Sequence, residues 1–232
     1  MSTDYAQILK DKVYTDVELF KHWYDFQYNI ERYLPSEKLQ QAFPEYPDNL
    51  RDIMLKNPVT RPNLKITILE TCQLGNVLNY DVSSPALSYA MLSPETVKKM
   101  INVMGALVCH SDIAKIIGRT QLEEVCDLVG REVYMFVIKR SLLFWKKIPN
   151  LPKFEHGLGL KERIGRYGKM VFEYIVHGLP DSAIKRLNIR TGMEFQSNLE
   201  VSEEEFNKAL ALAKYAIVNF FRDDEGAKLC LK

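Results

Sequence analysis

Three helical patterns follow one another almost without a break between Ser93 and Ile148, and this continuity constrains the fold more than any other feature. Ser93 and Pro94 form a helix start signal, and apolar residues then recur on one stripe as far as His110. The second pattern ends at Gly130, after which the third begins. No nucleophile, phosphate loop or metal cluster interrupts these patterns. They predict an all-α protein that packs and docks.

The third pattern, REVYMFVIKRSLLFWKKI, carries apolar residues nearly all round its helical axis. Such a helix is usually buried, so this segment is expected to be the central helix of the fold. In the next helical pattern, Gly165 and Gly168 are expected to allow another helix to pack closely. Further glycines near the start of this pattern lower its helix propensity there.

Three pairs of residues have the capping-box spacing, in which a hydroxyl and a carboxylate bond to unpaired N–H groups at a helix start. They are Thr15 with Glu18, Thr120 with Glu123, and Ser202 with Glu205. Each pair predicts a helix that begins at its hydroxyl residue.

Shorter helices are predicted at Asp48 to Lys56 and at Asp181 to Leu187. A strand pattern is limited to Asn188 to Phe195, so at most a minor β element is expected near residues 188–195. The chain is therefore predicted to form a compact, irregular, multi-helix domain over 1–232. Its expected parts are an aromatic helix with a proline-rich wrap (1–61), a helical core (62–222) and a short tail (223–232).

Composition favours a cytoplasmic protein. The chain has 232 residues, of which 47% are hydrophobic, enough to fill a sizeable core. Its four cysteines are scattered without paired spacing, and the N-terminus lacks the apolar stretch of a signal peptide. The longest apolar runs, Val133 to Ile138 and Ala209 to Phe221, fall far short of the roughly 20 residues that cross a bilayer.

The formal net charge of +1 hides an asymmetry along the chain. Arg131 to Arg190 contains 13 Lys or Arg against 5 Asp or Glu, whereas Met1 to Thr60 contains 7 against 10. The basic 131–190 segment could track a nucleic-acid backbone or meet an acidic protein. A nucleic-acid-binding helical protein therefore stays open as an alternative function.

Residue types that carry chemistry do not form catalytic or metal-binding patterns. The four histidines lie far apart, and the adjacent Cys109 and His110 point in different directions on a helix. Cys126 could be a nucleophile only with a base beside it in space, and packing is the simpler interpretation. No catalytic residue, metal or cofactor is predicted, although an enzyme centred on an unrecognised Cys or His stays open.

Three stretches carry a family resemblance: FQYNIERYLPSEKLQ at 26–40, MINVMGALVCHSDIAKIIGRTQLEEVCDLVGREVYMFVIKRS at 100–141, and GKMVFEYIVHGLPDSAIKRLNIRTG at 168–192. In the third, a glycine-led helix precedes an Arg-Leu pair and a further Arg, at Gly168, Arg186, Leu187 and Arg190. In this order they resemble the type III secretion accessory family called YscK, PscK, MxiK or OrgA, the SctK component of the sorting platform.

The resemblance implies a non-enzymatic adaptor of the secretion injectisome. Such an adaptor would link the SctD-like cytoplasmic domains of the inner-membrane ring to SctQ-like pods, which bridge to the export ATPase. It implies a place at the cytoplasmic face of the inner membrane of a Gram-negative bacterium, held there through protein contacts only. Nucleic acid and cofactors have no part in this role.

Two sets of residues are candidates for partner binding. The first is aromatic, because exposed rings with a polar edge often anchor interfaces, and comprises Trp23, Tyr24 and Phe26. The second is basic, because planar guanidinium groups pair well with acidic surfaces, and comprises Arg163, Arg166, Arg186 and Arg190. The alternatives are that the rings pack the first helix and that the arginines form a solvated face.

Overall fold

A computed structural model describes residues 16–34, 36–74, 84–140, 143–152, 157–196 and 199–231. All regular secondary structure in these ranges is helical, which confirms the all-α prediction. The α-helices are α1 (Val17–Tyr28), α2 (Ser36–Ala42), α3 (Asp48–Lys56), α4 (Arg61–Thr71), α5 (Pro85–Ala90), α6 (Pro94–Val108), α7 (His110–Ile113), α8 (Arg119–Val129), α9 (Arg131–Arg140), α10 (Leu160–Val176), α11 (Asp181–Thr191), α12 (Glu203–Phe220) and α13 (Glu225–Leu229). Short 3₁₀ helices occur at Ile30–Tyr33 and Trp145–Lys147.

The helices group into two compact units, and the chain passes between them more than once. The first unit comprises the described residues up to Met91 together with Leu179–Phe195, so it contains α1 to α5 and α11. The second unit comprises the described residues of Leu92–Gly178 and Gln196–Lys232. The expectation that both fold as one domain stays a prediction.

The first unit has an apolar core to which distant segments contribute. Its centre contains Ile30, Phe43, Leu64, Ile68 and Leu74, all buried. The two short helices α2 and α3 lie on α4, and α11 packs against α5 and the Ile30–Tyr33 turn. The proline-rich segment thus covers α4 with short helices, because proline interrupts longer ones.

The second unit is built around α6 and α10, which pack along one another. Most residues of α6 are buried, and α10 buries a stripe that runs from Ile164 to Val176. A Cβ added at Gly105 would lie 1.8 Å from the carbonyl oxygen of Ile164, and one added at Gly168 would lie 1.8 Å from that of Ile101. The helices can approach this closely only because neither glycine has a side chain.

Several helix ends that were predicted from adjacent residues are confirmed. Ser93 caps α6 by accepting a hydrogen bond from the N–H of Thr96, and Ser202 forms the predicted capping box with Glu205. Gly130 separates α8 from α9 with a φ of 88°. Thr15 lies outside the described residues, and Asp16 caps α1 through the N–H of Leu19 at 3.1 Å.

Two local predictions were wrong. Thr120 lies inside α8 rather than at its cap, and Arg119 pairs with Glu123 instead. At most a minor β element was expected near residues 188–195, and there α11 continues as far as Thr191 while none of the described residues forms a strand. The helix α9 is not central, because it buries only Val133, Tyr134 and Val137.

The described residues contain no helix that is long and apolar enough to cross a membrane.

Residues 223–231, expected as a tail, contain the short helix α13. Asp224 caps this helix through the N–H of Ala227 and also accepts a hydrogen bond from the hydroxyl of Thr96 at 2.5 Å.

Alanine at Gly105 or Gly168 is expected to destabilise the protein, because a Cβ there would collide with a backbone carbonyl that can move only if a helix moves. The expected loss of unfolding free energy is about 2–4 kcal/mol, above the typical cost of overpacking. Urea denaturation followed by circular dichroism would measure it.

Gly165→Ala is the matched control, because a Cβ at this position of α10 meets nothing within 4 Å. Helix propensity then predicts a gain of up to about 1 kcal/mol. Equal effects of alanine at Gly165 and Gly168 would contradict the close-packing interpretation.

Candidate partner-binding surfaces

The aromatic residues of α1 divide between the core and the surface according to helical period. Trp23 and Phe26 are 2% and 0% exposed, so these two side chains pack the first unit. Tyr24 is 45% exposed. The predicted aromatic surface is therefore corrected to Tyr24 alone among the three, because Trp23 and Phe26 lie on the face that joins the core.

Tyr24 belongs to an aromatic ladder that consists of Phe20, Tyr24 and Tyr28 at successive i, i+4 positions. The ring centroids of Phe20 and Tyr24 are 6.0 Å apart, and those of Tyr24 and Tyr28 are 4.9 Å apart and stacked. The ladder rests on buried Trp23, whose ring stacks on Phe20 at 5.9 Å. Sequence spacing alone would have identified this ladder, since residues four apart share a helix face.

The basic side chains of α11 are also placed differently from the prediction. Arg186 and Arg190 are buried, at 1% and 6% exposure. They follow Ala183 and Leu187 at helical spacing, so they lie on the buried stripe of α11 rather than on a solvated face. That spacing was visible in the sequence and could have warned against a surface assignment.

Arg190 is held in the first unit by an acidic and aromatic environment. Its guanidinium lies 3.2 Å from the carboxylate of Asp25, 4.7 Å from the ring centroid of Tyr33 and 5.3 Å from that of Phe26. Asp25 also accepts hydrogen bonds from the hydroxyl of Tyr33 at 2.7 Å and the amide of Asn29 at 3.2 Å. The pairing and the rings compensate for burial of the charge.

Burial changes the proton affinity of groups around this pair. It raises the pKa of Tyr33, as does the hydrogen bond that its hydroxyl donates to Asp25. Burial lowers the pKa of Arg186, whose guanidinium donates to the carbonyl of Ser182 at 3.2 Å. Nothing in the sequence pointed to Asp25 or Tyr33, because their partner Arg190 lies more than 150 residues further along the chain.

The two remaining candidate arginines lie on α10 in the second unit. Arg163 is partly exposed and donates to the carboxylate of Asp112 at 2.8 Å. Arg166 is half-exposed and donates to Glu162, one turn earlier, at 2.8 Å. The four predicted arginines therefore divide between the two units, and two of them are not at a surface.

The cysteine and histidine considered as catalytic candidates make packing contacts rather than forming a reactive site. Cys109 is buried, and this burial raises the pKa of its thiol to about 12. The Nδ1 atom of His110 lies 3.1 Å from the carbonyl oxygen of Leu107 in the preceding turn. The described residues contain no group of three or more His, Cys, Asp or Glu side chains that could hold a metal ion.

Arg190→Met is expected to cost about 2–4 kcal/mol of unfolding free energy, since it removes one partner of a largely buried ion pair. Arg166→Met is the control and should cost less than about 1 kcal/mol, because its pair is exposed to solvent. Denaturant unfolding of both variants tests this. Similar losses for the two would contradict the structural role of Arg190.

The thiol of Cys109 is expected to resist alkylation by iodoacetamide at mildly alkaline pH in the native protein. Only the thiolate reacts, and a pKa of about 12 leaves very little of it. Cys126 is only partly buried and should react faster. Mass spectrometry of digested protein would locate the labels, and rapid labelling of Cys109 would reopen a nucleophilic role.

Comparison with known proteins identifies the family. The profile of the family described as YOP proteins translocation protein K (YscK) matches residues 22–222. The chain matches no curated protein and no solved structure. The family match covers most of the chain and includes the three stretches in which the sequence resembles this family. The chain belongs to the YscK family of type III secretion proteins.

Proposed function

We propose that this type III secretion protein is a non-enzymatic adaptor of the sorting platform. Its proposed partners are the SctD-like cytoplasmic domains of the inner-membrane ring and the SctQ-like pod protein, which bridges to the export ATPase. It would lie at the cytoplasmic face of the inner membrane and be held there by protein contacts.

The aromatic ladder carries this proposal. Three rings share one face of α1, and the central one, Tyr24, is itself 45% exposed. Tyrosine is enriched among the residues that dominate binding energy, because it offers a broad apolar face and a hydroxyl with few rotatable bonds. The ladder is supported from beneath by Trp23, so binding would cost little side-chain entropy.

The placement of the basic and nucleophilic residues favours protein docking over the two alternatives. Arg186 and Arg190 are buried and so are withdrawn from the basic segment that could have contacted nucleic-acid phosphates. Cys109 has a raised thiol pKa, which disfavours the nucleophilic thiolate. These observations weaken both alternatives.

A direct binding measurement tests the adaptor role. The full chain would be titrated by calorimetry with the cytoplasmic domain of the ring protein and, separately, with the pod protein of the same bacterium. We expect both to bind. Tyr24→Ala should weaken binding of one partner roughly tenfold or more, as truncation of a central interface residue does.

Tyr46→Ala is the matched control, because Tyr46 is a tyrosine of the first unit with a similar exposure of 39%. It should leave both affinities within about twofold. If the chain bound neither protein, the adaptor role would be refuted. Equal losses for the two tyrosine variants would refute the ladder as the docking surface.

A further inference from the structure

A groove of about 600 Å³ lies in the second unit beside Trp145. Its apolar walls come from Val108 at the end of α6 and from Ile148 and Pro149, which follow the Trp145–Lys147 turn. Lys146 and Lys208 supply charge at its edge. A concave site of this size accommodates one or two large side chains of a binding partner.

The groove is built on a rigid aromatic foundation. Phe144 is fully buried, and its ring lies 5.7 Å from His110 in an edge contact, 6.0 Å from Tyr215 and 6.3 Å from Phe136. The turn that carries Trp145 also packs against α12. The backbone at Trp145 is therefore anchored by Phe144, its neighbour along the chain.

Two large apolar side chains flank Phe144 and remain at the surface. Leu143 is 56% exposed and Trp145 is 50% exposed. Burial of such side chains contributes about 25 cal/mol per Å² of apolar area, so their exposure leaves binding energy available to a partner. Exposed tryptophan beside a concave apolar site is typical of an interface anchor.

The chain segment that contains Trp145 carries charge of one sign. Val133 to Pro152 contains no acidic residue. It contains four basic residues, Lys139, Arg140, Lys146 and Lys147. Within the described ranges, none of these four forms an ion pair with a carboxylate.

Aromatic rings rather than carboxylates lie beside Lys146 and Lys147. The ammonium of Lys146 lies 5.6 Å from the ring centroid of Trp145, and that of Lys147 lies 5.6 Å from the centroid of Tyr215. Lys208 alone is neutralised, by Glu204 at 2.5 Å. Such cations retain most of their capacity to pair with an incoming carboxylate.

We propose that this basic groove, defined by Val108, Trp145, Lys146, Ile148 and Pro149, binds a short acidic segment of a partner protein that carries a large apolar side chain. The apolar side chain would enter the groove against Trp145, and flanking Asp or Glu residues would pair with Lys146 and Lys147. A protein segment fits better than a lipid surface, because the site is concave. It fits better than nucleic acid, because half of the residues that line the groove are apolar. The inference rests on the proposed docking function and specifies the chemistry of one partner.

A displayed library of random twelve-residue peptides, selected against the full-length protein, tests the proposal. We expect the selected peptides to be enriched in Asp and Glu around Leu, Phe or Trp. Their affinity should fall at least tenfold for Lys146→Glu/Lys147→Glu and for Trp145→Ala. It should also fall as salt is raised, because surface charges are screened.

Lys98→Glu/Lys99→Glu is the control, since these neighbouring lysines of the second unit are exposed and the charge change is the same. It should alter affinity by less than threefold. Circular dichroism would verify that every variant is folded. Peptides without acidic bias, or peptides that bind the Lys146→Glu/Lys147→Glu variant equally well, would overturn the proposal.

Two further outcomes separate the competing explanations. Binding to vesicles that contain phosphatidylglycerol, lost in Lys146→Glu/Lys147→Glu and without selection of acidic peptides, would replace the proposal with a membrane contact. Failure of the adaptor role is distinguishable, because the protein would then select acidic peptides but bind neither the ring domain nor the pod protein. If the protein bound the ring domain and the pod protein but selected no acidic peptides, only the proposal for the groove would be overturned.

Discussion

The backbone contact between α6 and α10 at Gly105 and Gly168 is the constraint on which the second unit depends. The contact is reciprocal, since each glycine faces a carbonyl of the opposite helix and leaves no room for a methyl group. Close approach lets apolar side chains on both sides of the crossing interdigitate, and the many resulting dispersion contacts are individually small but collectively large. The neighbouring helices α8 and α12 pack against this pair. A shift at the crossing would therefore disturb the whole unit.

The first unit differs from the second in that ion pairs lie largely inside it. Arg190 pairs with Asp25, and Arg61 pairs with Glu31, whose carboxylate is buried. Burying such groups is costly unless they are paired, so each arrangement that breaks these pairs is strongly disfavoured. The segments involved are far apart in sequence, and their pairing selects one way to bring α11 against the N-terminal helices. These two ion pairs thus select one arrangement of the first unit, whereas the glycine contact of the second unit allows two helices to approach closely.

Much of the fold could be predicted from sequence because helix ends depend on a few adjacent residues. Asp48–Lys56 was predicted with its observed bounds, and Ser93 and Ser202 are caps as expected. The pairing of Arg190 with Asp25 could not be predicted in this way, because tertiary structure brings the two residues together. Likewise, Gly165 and Gly168 look equivalent in sequence, and only the position of α6 decides which one is contacted. The candidate site was therefore predicted less well than the fold.

The surfaces of the two units share a physical arrangement that suits binding. In each, a large exposed aromatic residue directly follows a buried one in the chain, Tyr24 after Trp23 and Trp145 after Phe144. Burial of such side chains is favourable. Because they are exposed in the folded protein, that free energy is still available for binding a partner. A rigid exposed ring loses little entropy on binding, which makes it effective at an interface. Under the proposed function, each unit would contribute its own exposed aromatic residue to binding.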